Sequence, residues 1–248
     1  MKPRHNLLSS FYPEVEISGY TSVDGTIEFY NRVNSILDSS MHVLDYGAGR
    51  AAWYEDDICA FRKRTRTLKG KVKNLVGCDI DGAILDNNSV DEQIKIDDEK
   101  SLPFKDCSFD MIISDYTFEH ITSPDVTAKE LHRVLKKGGW ICARTPNKYS
   151  YISIITRIIK NKFHARILKH AQPDRKGTDV FPTSFKLNSM RKISKNFAKE
   201  YFDNYTYRYE AEPAYHFNSK LIFTIFLFIN KISPSFLKGN LFIFLRKK

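Results

Sequence analysis

Five short apolar runs, set apart by helix-patterned stretches, constrain this chain most. They are MHVLDY at 41–46, KNLVGCD at 73–79, EQIKI at 92–96, FDMIIS at 109–114 and GWICART at 139–145, each with the length and composition of a strand buried in a parallel sheet. Residues 50–67, 82–87 and 124–136 read as the helices between them. A leading helix over 23–38 places Ile27, Tyr30, Val33 and Leu37 on one face. The helix at 124–136 should end in Lys136-Lys137-Gly138-Gly139, cations followed by glycines. Strands alternating with helices imply an open, doubly wound α/β sheet. Ligands of such sheets bind beyond the carboxyl ends of the strands.

A chain of 248 residues with 42% hydrophobic and 13% aromatic residues can bury one full core and still carry a sizeable insertion. Disorder is excluded as its main character. Cys59, Cys78, Cys107 and Cys142 form no CxxC pair and have no clustered His partners, so a reduced protein without structural zinc is expected. The opening MKPRHNLLSS lacks the apolar stretch of a signal peptide. The expected location is cytoplasmic. Net charge is +10, and its distribution is uneven: residues 1–150 hold 20 Lys/Arg against 23 Asp/Glu, whereas 151–200 hold 12 against 3 and 201–248 hold 7 against 3. That basic half suits a phosphate-bearing partner or an anionic membrane, or simply solubility.

HVLDYGAGR at 42–50 turns through Gly47 and Gly49 at the end of the first strand. GAGRAA at 47–52 satisfies the dinucleotide pattern G-x-G-x-x-G/A, so the turn alone leaves NAD open. Asp45 tips the balance, because a carboxylate there crowds a pyrophosphate but can hold a cationic amino-acid group. S-adenosylmethionine has an ammonium and a sulfonium and no phosphate. A Cβ at Gly47 is expected to collide with the cofactor. Asp79, in CDID at 78–81, ends the next strand, where it can accept from two ribose hydroxyls.

VLDYGAGR (43–50), GCDID (77–81), DDEKSLPFKDCSFDMIISDYTFEHI (97–121) and ELHRVLKKGGWICART (130–145) together resemble the class I SAM-dependent methyltransferases of the methyltransferase type 11 kind. The resemblance covers about residues 20–147 in the family's order, and D-x-x-x-L-P-F followed by S-F-D is its most specific block. It implies a Rossmann-like fold: a mostly parallel seven-stranded sheet with the last strand antiparallel, plus a helical insertion after strand five. It also implies that Asp45, Gly47, Ala48 and Gly49 line the methionine end of the cofactor. Asp79 would hold the ribose, Ile80 flank the adenine, Asp98 accept from the adenine amine, and the backbone of Glu99 meet the ring. Asp97 is the alternative to Asp98. Ser114 and Asp115 would lie beside the sulfonium, with Tyr116 and Phe118 nearby. Ala51 stands where many relatives have a further glycine.

The flanks should define the acceptor. GYTSVDGTIEFY (19–30) reads as a leader closing over the cofactor through Tyr20, Thr21 and Thr26, or as no more than a helix cap. After strand five, Arg144, Asn147 and Tyr149 are expected at the pocket rim. Residues 148–198 read as an acceptor lid bearing His164, His170, Arg175, Lys176 and Phe181, suited to a sugar carrying a phosphate or nucleotide. His120 is the candidate general base, with a structural Glu119-His120 pair as the alternative. The expected division is 1–147 for leader and cofactor core, 148–198 for the lid, and 199–248 for the closing strands and an apolar helix.

DGT-x-E-F-Y, TPN and D-V-F-P-T segments resemble those of bacterial surface-polysaccharide enzymes, which implies a small-molecule O-methyltransferase releasing S-adenosyl-L-homocysteine. No metal is required by that chemistry. The alternative is an RNA methyltransferase using the basic half, against which SDYT at 114–117 stands where base-amino methylation expects N/D-P-P-Y/F. A third reading is a Rossmann protein binding another adenosine ligand. KLIFTIFLFINKIS (220–233) is too short to span a bilayer and reads as a buried or interfacial helix, which leaves room for peripheral contact at the inner face of a membrane. NLFIFLRKK (240–248) reads as the final antiparallel strand beside EYFDNYTYRYE (200–210). The oligomeric state is left open.

Overall fold

The computed structural model describes residues 7–151, 153–154, 181–213 and 216–248. Its centre is a sheet whose inner strands are β1 (His42–Tyr46), β2 (Asn74–Asp79), β3 (Glu92–Lys95), β4 (Phe109–Asp115) and β5 (Leu135–Pro146). Pairing runs β3-β2-β1-β4-β5, all parallel. The order therefore reverses beside β1, so β1 and β4 leave their carboxyl ends at the switch point where open sheets bind ligands. β6 (Phe202–Asn204) and β7 (Tyr207–Tyr209) pair with β8 (Asn240–Lys247), which runs antiparallel to β5. The expected penultimate strand is thus two short strands on one edge, and among the described residues the sheet has eight strands rather than seven.

Alternation along the strands builds two cores. Leu44, Val76, Ile112, Ile141 and Ile243 face one side with Phe118, Leu131 and Phe197. Val43, Leu75, Met111, Ile113 and Phe242 face the other with Phe29, Tyr30 and Val33. The first layer includes α5 (Pro124–Val134) and α6 (Met190–Asn196), and the second includes α2 (Gly25–Ile36). Before α2 lies the short α1 (Val15–Ser18). Asp24 caps α2 by accepting from the N–H groups of Thr26 and Ile27, both at 2.9 Å.

Two expectations about helices are corrected. The stretch 50–67 is two short helices, α3 (Trp53–Asp56) and α4 (Ala60–Arg66). Asp57 accepts from the N–H of Cys59 at 2.9 Å and from Arg62, a local side-chain turn that competes with helix continuation. Residues 136–139 belong to β5 and are no helix terminus, because α5 stops at Val134. Gly138 takes φ +78° where the β4–β5 register shifts, and a Cβ at Gly139 would lie 2.8 Å from the Asp110 carbonyl oxygen. The glycines serve a bulge.

The apolar segment forms α7 (Lys220–Ile232), in which only Phe223 is buried. It lies at the surface of the protein. Among the described residues, no helix is long and apolar enough to cross a membrane.

Candidate active site

The turn after β1 is held by β2. The Gly47 and Ala48 N–H groups donate to the Cys78 carbonyl at 2.8 and 3.2 Å, and the Gly49 N–H donates to Asp79 Oδ2 at 2.9 Å. The other Asp79 oxygen accepts from the Asp81 N–H at 2.9 Å, so Asp79 shapes the turn as well as facing the site. Gly47 adopts φ +76°, and a Cβ there would fall 2.2 Å from Thr117 Oγ1. The reason for this glycine is therefore the close approach of Thr117 on the turn after β4. The expected collision was with the cofactor, and the structure locates one within the protein itself.

Asp45, next to last in β1, is half-buried, and its carboxylate makes no hydrogen bond among the described residues. Burial and then the Asp115 carboxylate push its carboxyl up to about 7; Arg66 opposes the shift and Asp79 adds to it.

Asp115, at the end of β4, is differently placed. Its oxygens accept from Arg66 Nη2 at 2.7 Å, from Arg144 through Nη2 at 2.9 Å and through Nε, and from the Tyr30 hydroxyl at 3.2 Å. Burial raises its pKa, but the Arg144 and Arg66 guanidiniums prevail and hold it below the ordinary carboxyl value. Arg66 also lies over the Trp53 ring at 4.3 Å, and Arg144 over the Tyr116 ring at 4.8 Å. Sequence reading missed Arg66, Tyr30 and Trp53 at this site. A signal existed in the basic run 61–71, where Arg62 and Arg66 stand one helical turn apart and share a face.

Three residues expected at the acceptor side are corrected. Arg144 is only 3% exposed and donates to Thr26 Oγ1 at 3.0 Å as well as to Asp115; it organises the network from beneath. Phe118 is fully buried, stacked 6.2 Å from Phe197 in the core, because the chain after β4 turns inward there. Asn147 is buried, and its Nδ2 donates to the carbonyls of Phe236 and Lys238 at 2.8 Å each. It clamps the approach to β8.

The remaining candidates differ in their surroundings. Ile80 and Tyr149 are exposed. Tyr116, with φ +60° and its hydroxyl donating to Asn240 at 3.0 Å, occupies the left-handed region that a bulky residue rarely holds. Ser114 is buried, and its Oγ has no hydrogen-bond partner among the described residues. Thr21 is buried and donates to Glu212 at 3.2 Å, while Tyr20 stacks on Phe61 at 5.4 Å. Asp98 is exposed and accepts from the N–H groups of Lys100 and Ser101 at 2.7 and 3.2 Å. The Glu99 carboxylate accepts from the N–H groups of Thr122 and Ser123 at 2.9 and 2.8 Å. His120 Nδ1 lies 2.7 Å from the Pro182 carbonyl, which can only accept. A proton on Nδ1 satisfies that contact. Phe181 meets the same ring edge-on at 5.9 Å. His164, His170, Arg175 and Lys176 lie outside the described residues.

Residues 59–143 match a family model described as a methyltransferase domain. An uncharacterized protein of Methanocaldococcus jannaschii is 32% identical over 109 residues, 43% of this chain and 43% of that relative, so the match spans less than half of either. Among solved structures, a SAM-dependent methyltransferase of Thermotoga maritima, described as a possible histamine N-methyltransferase, aligns with TM-score 0.58 at 15% identity, covering 99% of this chain and 98% of its own. A SAM-dependent methyltransferase from Archaeoglobus fulgidus gives 0.54 at 19% identity, covering 96% and 99%. These structures share the Rossmann-like methyltransferase fold with this chain. The methyltransferase-domain match is confined to 59–143, and the solved structures show the fold.

Proposed function

We propose that the enzyme methylates an oxygen of a small-molecule acceptor, a saccharide-type or phosphorylated precursor of surface polysaccharide such as capsule or O-antigen. The observation that carries the donor side is Asp45, a half-buried carboxylate with no hydrogen bond among the described residues at the switch point of the sheet. Its chemistry suits an ammonium. Asp79 keeps lone pairs for a ribose while its oxygens fix the Gly49 turn, and exposed Ile80 offers an apolar face to an adenine. The residues present therefore fit S-adenosylmethionine, whose sulfonium supplies the methyl group and an excellent leaving group.

The chain has two tasks left, to align the acceptor and to take up the proton an alcohol loses. His120, whose Nδ1 lies 2.7 Å from the Pro182 carbonyl, is the residue assigned the second. Tyr149 and Phe181 supply exposed aromatic faces for a sugar, and the cations of 148–198, the lid in this reading, suit a phosphate.

Calorimetric titration with S-adenosylhomocysteine and, separately, NADH tests the donor. Micromolar binding of the former alone is expected. Turnover is then measured as S-adenosylhomocysteine release with nucleotide-linked sugars, sugar phosphates and RNA. Turnover on RNA alone, with every sugar inert, would sink the acceptor assignment.

A further inference from the structure

α7 presents an apolar face to solvent. Leu221, Ile225, Phe228 and Ile232 are 71%, 48%, 61% and 63% exposed, and at helical spacing they fall within a sector of about 60°. The opposite side anchors the helix to the body. Phe223 is buried against Phe11 at 4.6 Å and His216 at 5.4 Å, and Phe226 stacks on Tyr151 at 4.8 Å. The exposed stripe is thus displayed by a docked helix, and Phe236, 52% exposed on the following turn, extends it. An apolar patch of this continuity marks an interaction surface.

Charge selects the partner. No Asp or Glu occurs after Glu212, and Lys220 and Lys231, eleven residues apart, fall on the same border of the stripe. Both are exposed, and neither forms an ion pair among the described residues. Thirteen residues of helix cannot cross a bilayer, but an apolar stripe bordered by lysines matches the boundary between acyl chains and anionic headgroups. A second copy of the chain would bring the same lysines together across the seam.

We propose that α7 seats this protein on the surface of an anionic phospholipid bilayer, with Leu221, Ile225, Phe228 and Ile232 entering the acyl boundary and Lys220 and Lys231 meeting the headgroups. The seat also sets an orientation. α7 leads through Phe236 into Asn240, which pairs with Pro146 at the carboxyl end of β5 and accepts from the Tyr116 hydroxyl. The edge of the sheet that holds the candidate site is therefore the edge nearest the lipid. The seat stands on α7 alone and holds whatever the acceptor proves to be.

The test is flotation of the full chain with vesicles of phosphatidylcholine alone and with one part in three phosphatidylglycerol, alongside light scattering for oligomeric state. Binding to the anionic vesicles is expected, at least tenfold weaker in 0.5 M salt or on neutral vesicles. Leu221→Glu with Phe228→Glu should abolish it. Lys220→Glu with Lys231→Glu, which removes no apolar contact, should weaken it at least tenfold without changing the thermal midpoint. Absence of vesicle binding overturns the proposal, as does equal binding to neutral vesicles. A dimer that Leu221→Glu with Phe228→Glu dissociates, in a protein that ignores vesicles, overturns it in favour of a self-interface.

Discussion

Asp45→Asn should make the ligand-free protein more stable at high pH while weakening its hold on S-adenosylhomocysteine. Burial and the Asp115 carboxylate raise the Asp45 carboxyl from 3.8 to about 7. That difference corresponds to about 4 kcal/mol at about 1.4 kcal/mol per tenfold, and water around a half-buried group screens about half of it, leaving about 2 kcal/mol. The sign follows from a folded-state pKa above the unfolded one. Between about pH 4 and 7 the folded protein holds a proton that the unfolded chain has shed, so wild-type stability falls as pH rises through that window. Asparagine has no such proton. The variant's advantage is therefore near zero at pH 4, grows to pH 7 and then levels. For a chain of this size about 2 kcal/mol is a rise of about 4–8 °C in the thermal midpoint. Scanning calorimetry at pH 4.5 and 8 reads the stability, and titration with S-adenosylhomocysteine at pH 8 reads binding, which should weaken at least tenfold. A variant whose advantage is the same at both pH values, with unchanged affinity, would refute the assignment of Asp45 as a cation receptor.

Gly47→Ala should lower stability by about 2 kcal/mol, because its Cβ meets Thr117 at 2.2 Å and its φ is +76°; urea unfolding checks this, and a loss within about 0.5 kcal/mol would refute the close approach. Arg144→Met should cost about 3 kcal/mol by leaving Asp115 buried with one guanidinium. An acceptor KM that rises while urea unfolding stays unchanged would return Arg144 to the pocket rim. His120→Ala should reduce kcat at least a hundredfold with an alcohol acceptor while S-adenosylhomocysteine affinity stays within twofold; steady-state kinetics beside calorimetry separates these, and an unchanged kcat removes His120 as the base.

The sheet was legible because strands buried on both faces must be apolar throughout, and 41–46, 73–79 and 109–114 fall within one residue of β1, β2 and β4. The strand-end acids were legible for the same reason: a carboxylate closing an apolar run has few structural uses. What sequence could not carry was direction. Phe118 and Asn147 follow strand ends and Arg144 lies within β5, yet all three are buried; for Phe118 the chain turns inward through the left-handed Tyr116. The break at Asp57 depended on one carboxylate choosing a backbone N–H two residues on. Arg66 and Asp115 are 49 residues apart and belong to elements whose adjacency no local pattern states.

The charges gathered at the carboxyl edge also argue for the donor. Asp45, Asp79 and Asp115 face two guanidiniums, Arg66 and Arg144, and both of these are committed to Asp115. The formal sum is one negative charge, and it falls on the side of Asp45, the acid no donor reaches. A pyrophosphate would add two negative charges beside an acid already raised by its neighbours, so a dinucleotide is repelled from the turn that its glycine pattern allows. A ligand with an ammonium, a sulfonium and one carboxylate carries a net single positive charge and closes the balance. In the proposed reading, the selection between the two cofactors rests less on Gly47 and Gly49, which either would use, than on the two arginines being spent on Asp115 while the Asp45 carboxylate has no donor among the described residues.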